Sequence, residues 1–349
     1  MTGRVLLLSP SHGLGGGIER YVSTLEWAFA AEGVDCQRLV LSSAGAQAHA
    51  RLLADGRAAL RAAGEPTRLV VAHRALLPVA AILDRDPAAC GMTVLCHGCE
   101  TWHSRQRPRR TLERFLMRRP GVRVVAVSNY TAGAILGDCR ATVLPPGLSR
   151  DWFDTLAAAA TRPRDSRPGI RLVTAFRLAS WRDKGLPALV AAVAEVSRPD
   201  VSLTICGSGK PPSGMMSLVG RHSWCRVRPG LRDGDLAREL AAADLFVLAT
   251  RTRTGRRAVG EGFGLVLLEA QVAGTPVLAP AYGGARDAYI EGITGLGPCD
   301  ESVDALAETL HDLLKDPDRL ARMGRNAGKW ARQVFAPERY AQLAIRRLL

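Results

Sequence analysis

Two carboxylates eight positions apart, Glu261 and Glu269, frame the stretch of this 349-residue chain richest in chemistry. Gly262, Phe263, Gly264 and Leu265 follow the first, and Val266-Leu267-Leu268 lead to the second. Eight positions is a little over two helical turns. A carboxylate among apolar residues is costly unless it is paired or hydrogen-bonded. Glu269 therefore reads as a partnered group, the alternative being two ordinary surface carboxylates. A second cluster runs from Phe176-Arg177-Leu178 to Asp183-Lys184-Gly185, between an apolar run and a helix-like segment. Arginine can hold a diphosphate as a fork and lysine as a point charge, although solvated loop charges would look the same. As exposed cations they would add little to stability. A third signal is the loop Pro10-Ser11-His12-Gly13-Leu14-Gly15-Gly16-Gly17-Ile18-Glu19. Its glycines let the backbone approach a ligand, and the helix that follows offers free N–H groups to a phosphate. The dinucleotide fingerprint fails at Ile18, no GxxxxGK[ST] is present, and a tight strand-to-helix turn fits the same residues.

These residues sit in a regular pattern of short apolar runs and longer amphipathic segments. Strands are expected at residues 5–8, 36–41, 69–72, 93–96, 122–127 and 141–144, with helices at 18–31, 51–63 and 112–119 between them. That alternation argues for a parallel sheet covered by helices. Pro145-Pro146-Gly147 and the proline-rich stretch 161–169 then read as a break. The pattern restarts with strands at 170–175, 201–206, 245–249 and 276–279 and helices at 186–196, 235–242, 265–273 and 303–314. A helical tail from 318 to 349 breaks near Pro337. The expected division is 1–150, a linker at 151–169, 170–325, and a terminal helix at 326–349. Trp330, Phe335 and Tyr340 are the residues expected to carry that helix back to the first domain. Ligands of open parallel sheets bind beyond the carboxyl ends of the strands, which is where the three clusters fall.

Composition narrows the function classes. Hydrophobic residues make up 47% and charged residues 23%, so the chain is globular and not mainly disordered. Net charge is +14 and the pI about 10.1, which favours anionic partners. Lysine stands only at Lys184, Lys210, Lys315 and Lys329 among 47 basic residues, a skew that a GC-rich coding sequence produces without selection. A basic stretch comprises Arg105, Arg107, Arg109, Arg110, Arg114, Arg118, Arg119 and Arg123, with Phe115, Leu116 and Met117 interleaved. It reads either as a sheet-covering helix with a solvated arginine face or as a surface for an anionic membrane. Arg251, Arg253, Arg256 and Arg257 form a second basic group just before Glu261. The single CxxC, Cys96-His97-Gly98-Cys99, has Cys90 and His103 nearby but no second pair at metal spacing, and it follows an apolar strand. Buried, reduced thiols are expected there in preference to a zinc or redox site. The apolar stretch ending at Ser9 is too short for a signal h-region and no run reaches the ~20 residues of a membrane span. A cytoplasmic protein is expected, with the inner membrane face as a second station.

Taken together, Gly16-Gly17-Ile18-Glu19, Arg177 with Lys184-Gly185, Gly207-Ser208-Gly209 and the segment Glu261 to Glu269 resemble the retaining GT-B glycosyltransferases of family 4. The last segment matches that family's E-x7-E motif in its EGFG form, and the resemblance runs in order from residue 5 to about 340. It implies two Rossmann-like doubly wound domains facing a central cleft. The implied reaction is transfer of a hexose, with retention and without a metal, from a nucleotide-diphosphate sugar to a hydroxyl acceptor. UDP-sugar ranks before GDP-sugar on family frequency. A natural-product or antibiotic precursor and an envelope polysaccharide or glycolipid are the acceptor classes.

By the same resemblance, Gly16 and Gly17 face the donor diphosphate, and Arg177 and Lys184 stabilise it as it leaves. Gly262, Phe263, Gly264 and Leu265 line the donor, Glu269 holds the ribose and Glu261 meets the transferred sugar. Glu19, His97 and Ser128 lie toward the acceptor. The chain departs from the family with Pro146-Gly147-Leu148-Ser149 where an Asn-Gly-Val-Asp turn is usual, and with Gly98 after His97 where Asp is common. No cofactor beyond the co-substrate is implied. A non-enzymatic binder of polyanions or nucleic acid is the rival reading. Dispersed arginines, 5% aromatic residues and the lack of an RNA- or DNA-binding motif count against it.

Overall fold

The computed structural model describes residues 3–10, 16–43, 45–98, 100–102, 108–162, 169–254 and 258–349. Of the residues singled out above, Ser11, His12, Gly13, Leu14, Gly15, Cys99, His103, Arg105, Arg107, Arg256 and Arg257 lie outside these, as do the side chains of Arg109 and Arg110. The chain divides into two compact units. The first comprises Met1–Ser149, Thr254–Ala258 and Pro337–Leu349; the second comprises Arg150–Arg253 and Val259–Ala336.

In the first unit the strands are β1 (Arg4–Ser9), β2 (Cys36–Val40), β3 (Thr67–Val71), β4 (Ala89–Cys96), β5 (Val122–Ala126) and β6 (Thr142–Val143). They pair in parallel in the order β2-β1-β3-β4-β5-β6. Helices α1 (Gly17–Ala31), α2 (Ala46–Ala63), α3 (Leu77–Leu83), α4 (Pro108–Met117) and α5 (Asn129–Ile135) connect them. The central strands are apolar without alternation because both faces of a parallel sheet are buried; Leu6, Leu8, Leu69, Val71, Met92 and Val94 form one face of the core.

The second unit opens with α6 (Arg150–Ala160), a helix occupying residues that read as the start of a linker in the sequence. Its alanine-rich run with Trp152, Phe153 and Leu156 buried is a strong helix former, and the prolines that suggested a break come only after it. Then come β7 (Ile170–Ala175), α7 (Leu186–Val196), β8 (Val201–Gly207), α8 (Ser213–Val219), β9 (Cys225–Pro229), α9 (Asp233–Ala242), β10 (Leu245–Val247), α10 (Leu265–Val272), β11 (Val277–Leu278), β12 (Gly295–Leu296), α11 (Val303–Leu314) and α12 (Pro317–Val334). The parallel order is β12-β11-β10-β7-β8-β9. Ser302 caps α11 by accepting from the Ala305 N–H, and Asp316 caps α12 from Arg319 with Pro317 in the first turn.

The terminal helical tail breaks where its proline stands. Trp330 and Phe335 stay in the second unit, where their rings pack edge to face at 5.5 Å and Phe335 lies 6.3 Å from Phe263. Helix α13 (Pro337–Leu348) belongs to the first unit. There the ring of Tyr340 lies on Gly147, where a Cβ would come within 2.4 Å of it, and Thr93 Oγ1 donates to the Leu348 carbonyl at 2.7 Å.

Candidate functional site

Both sheets reverse their winding at a defined point. In the second unit the chain runs β7-β8-β9 to one side and returns with β10 beside β7. Loops that leave two adjacent strands in opposite directions open a crevice at their carboxyl ends, the usual ligand site of an open α/β sheet. Arg177 and Lys184 follow β7, and Thr250 and Glu261 follow β10, so the switch point carries both predicted cations and one of the predicted carboxylates.

Lys184 Nζ donates to Glu261 Oε1 at 2.6 Å, and Thr250 Oγ1 donates to the same oxygen at 2.7 Å. Glu261 is 8% exposed, while the Lys184 side chain is 27% exposed. Lys184 is therefore the counter-ion of a buried carboxylate, a setting in which a cation matters more to stability than a solvated one does. An ammonium has three N–H donors, so two remain for a further acceptor. The contact depends on a close approach of backbone. Gly185 lies at φ +71°, and a Cβ there would fall 1.8 Å from the Ala249 carbonyl oxygen. Only glycine lets the turn after β7 press against the end of β10. Arg177 stays exposed, where it precedes the short 3₁₀ turn Leu178–Ser180.

Glu269 sits in α10 and is 4% exposed. Trp152 of α6 donates from Nε1 to Glu269 Oε1 at 2.9 Å, which supplies the partner that its apolar surroundings require. A carboxylate accepts up to about four hydrogen bonds, so the tryptophan leaves capacity for a hydroxyl pair. Gly264 precedes α10 at φ +79° with no side chain to cap the helix, and its carbonyl accepts from the Leu267 N–H at 2.8 Å. The sequence did not mark Trp152 or Thr250. Nothing local links residue 152 to 269; the hydroxyl just beyond the β10 strand end was the one available signal for Thr250.

In the first unit the switch point lies between β1 and β3. Gly16 and Gly17 start α1 there, Gly16 with extended backbone and no side-chain cap; Glu19 lies in the first turn. His97 follows β4, and its Nε2 lies 2.6 Å from the Ala72 carbonyl oxygen. A carbonyl only accepts, so this contact assigns a proton to Nε2, and in the neutral ring Nδ1 becomes an acceptor. The ring stacks on His73 at 6.2 Å and meets the edge of Tyr21 at 5.6 Å. His73 is the residue missed here; a histidine directly after a strand was the available signal. Ser128 is a structural cap, accepting from the Thr131 N–H at 3.1 Å at the start of α5.

The loop after β4 is tightly held. Glu100 accepts from the His97 N–H, Thr101 Oγ1 donates to the Gly98 carbonyl at 2.6 Å, and Arg74 reaches the Glu100 carbonyl. Arg74 also forms a buried ion pair with Glu113 of α4 at 2.7 Å. Burial, with the Glu100 charge adding to it, pushes the Cys96 thiol far above its ordinary range, which is unfit for a redox nucleophile. Among the described residues no three His, Cys, Asp or Glu side chains gather at metal-binding distance. The basic stretch is partly tied down: Arg114 pairs with Asp138 at 2.8 Å, Arg118 donates to the Gly137 carbonyl at 3.0 Å and Arg119 pairs with Asp84 at 3.3 Å. Leu112 and Phe115 of α4 are exposed. Among the described residues no helix is long and apolar enough to cross a membrane.

Residues 172–330 match the family described as Glycosyl transferases group 1. The chain is 34% identical over 218 residues to a GDP-mannose-dependent alpha-(1-6)-phosphatidylinositol monomannoside mannosyltransferase of Mycolicibacterium smegmatis, covering 60% of this chain and 57% of that one. It is 30% identical over 219 residues to the D-inositol 3-phosphate glycosyltransferase of Thermobispora bispora, covering 59% and 49%. The chain thus spans roughly half of the length of these relatives. Anabaena HepE in complex with UDP and glucose superposes with a TM-score of 0.75 at 17% identity over 98% of both chains. The two doubly wound sheets and this superposition give the chain the GT-B fold, and residues 172–330 of its second unit are similar to the group 1 glycosyltransferases.

Proposed function

We propose that this protein is a retaining, metal-independent hexosyltransferase that moves mannose from GDP-mannose to a hydroxyl of an inositol- or mannose-containing acceptor. The observation that carries the reading is the Lys184–Glu261–Thr250 cluster at the switch point of the matched domain, with Arg177 on the segment that leads from β7 to Lys184 and Glu269 held by Trp152. A departing diphosphate needs preorganised positive charge, which two cations and the backbone N–H groups of Gly262 to Leu265 supply without a metal. Glu261 would take hydroxyls of the sugar, and Glu269 those of the ribose. In the first unit Gly16 and Gly17 would approach the diphosphate, while Glu19 and His97 would lie on the acceptor side. No cofactor is needed beyond the co-substrate.

The named relatives reverse the order of nucleotides given by family frequency: GDP comes before UDP, because the M. smegmatis relative is GDP-mannose-dependent. The M. smegmatis relative also favours the glycolipid acceptor over the antibiotic precursor, the T. bispora relative being named for D-inositol 3-phosphate, and the match to group 1 glycosyltransferases does not favour the polyanion-binding reading. A lipid-linked acceptor suits a cytoplasmic protein resting on the inner membrane face through exposed Leu112 and Phe115 of α4 and the basic residues around them. Calorimetry with GDP, UDP and their sugars, followed by turnover in EDTA, tests the reading. GDP binding at least tenfold tighter than UDP, with transfer that survives chelation, supports it. Binding of neither nucleotide, or activity lost on chelation and restored by Mg²⁺, overturns it.

A further inference from the structure

Helix α10 is bonded on two opposite sides, and only one of them enters the reading above. Glu269 turns to Trp152 of α6. Gln271 stands two residues on, about 200° further round the helix axis, and is fully buried. Its Nε2 donates to the Ala288 carbonyl at 2.6 Å and to the Leu267 carbonyl, one turn back, at 3.0 Å. Carbonyl oxygens only accept, so the amide nitrogen faces them and both of its N–H groups are used. Its Oε1 has no partner among the described residues. Leucine or methionine would fill the space without that unpaired oxygen, so what the amide adds here is the bond to Ala288. Ala288 ends the 3₁₀ turn Gly284–Ala288, which follows β11. The other end of the turn is bonded to the first carboxylate residue: the Gly284 N–H donates to the Glu261 carbonyl at 2.7 Å. Gly283, at φ +96°, permits this approach. A Cβ there would lie 3.1 Å from the same carbonyl oxygen and 3.3 Å from Thr252 Oγ1. The result is a closed brace. The chain runs from Glu261 through α10 to Gln271, crosses to Ala288, and returns through the turn to Gly284 and Glu261. It ties the backbone of Glu261 to the helix that carries Glu269.

We propose that Gln271 is a positioning residue: through the turn 284–288 it fixes Glu261 against Glu269, and so holds the sugar-binding carboxylate in place beside the ribose-binding one. The roles of the two carboxylates rest on the glycosyltransferase reading, whereas the brace does not. Gln271→Leu removes both donors at nearly the same volume, and Gln271→Met does so without a branch if leucine packs poorly. Thr275→Val is the control. That hydroxyl donates to the Leu240 carbonyl at 2.6 Å, is as deeply buried, and lies outside the brace. Deuterium exchange of the full chain, read by mass spectrometry, tests the brace. Peptides covering 283–290 should exchange at least tenfold faster in Gln271→Leu than in the parent, with peptides of β8 unchanged. Calorimetry with GDP and GDP-mannose tests the role. Gln271→Leu should weaken GDP-mannose about tenfold, because Glu261 loses its place at the sugar. GDP should stay within twofold, because Glu269 keeps its indole partner. Thr275→Val should leave both affinities within twofold. Unchanged exchange at 283–290 overturns the brace. Equal loss of GDP and GDP-mannose, no loss of either, or the same loss in Thr275→Val overturns the positioning role. A parent chain that binds neither ligand overturns the donor reading and the role with it, and the exchange result still decides the brace.

Discussion

Replacing Lys184 by alanine separates a structural cation from a solvated one. In the intact protein the ammonium donates at 2.6 Å to a carboxylate that Thr250 also serves. Without it, Glu261 keeps its charge and one neutral donor in a site that water barely reaches. A hydrogen bond to a charged group contributes about 1.5–3 kcal/mol, and breaking a fully buried pair costs about 3–5 kcal/mol. Lys184 keeps 27% of its side chain in solvent, which places the loss near the low end, about 2 kcal/mol after screening. For a unit of this size that corresponds to a fall of roughly 4–8 °C in Tm. Lys210→Ala, at an exposed position, should change stability by less than about 0.5 kcal/mol. Urea unfolding followed by tryptophan fluorescence measures both, and Glu261→Gln in the Lys184→Ala background completes the cycle. A coupling of at least about 1 kcal/mol is expected, because the second change removes the stranded charge. If Lys184→Ala is as stable as Lys210→Ala, or if the two changes simply add, Lys184 is not the counter-ion that the geometry makes it.

Three further outcomes follow from particular contacts. Gly185→Ala forces a Cβ to 1.8 Å from the Ala249 oxygen at φ +71°, so a loss of at least about 3 kcal/mol is expected in thermal melts. Gly33→Ala, at φ +68° but with open space around it, should cost only about 1–2 kcal/mol; equal losses would refute the steric argument. Trp152→Phe removes the donor to Glu269 and should weaken nucleotide binding about tenfold by calorimetry, whereas unchanged affinity would free Glu269 from any need of that partner. Burial pushes the Cys206 thiol up to about 12, so its labelling by a disulfide reagent should stay slow from pH 7 to pH 10, while exposed Cys90 and Cys299 react first. Fast labelling of Cys206 in the native protein at pH 8 would contradict that environment.

Much of the architecture is local and could be read from residue order. Apolar runs such as Leu6-Leu7-Leu8 and Leu69-Val70-Val71 announce strands buried on both faces, and the 3.6-residue stripe of residues 303–314 announces α11. Edge strands escaped notice because their patterns are diluted. β9 reads Cys-Arg-Val-Arg-Pro with no residue fully buried, and β12 has two residues. Helix α6 was hidden by the prolines beyond it. Residue types also marked Arg177, Lys184, Glu261 and Glu269 as the groups worth watching. Their partners were invisible. Lys184 meets Glu261 across 77 positions, and Trp152 meets Glu269 across 117. Spacing and composition report what a segment does to itself, through backbone periodicity, capping and turn geometry. Which side chains meet is set by strand order, here by β10 returning beside β7, and by a glycine at 185 that lets two backbones touch. The sequence alone determined the elements and the chemical types in the loops. The tertiary structure decided that one predicted cation is a counter-ion and that one predicted carboxylate is held by an indole.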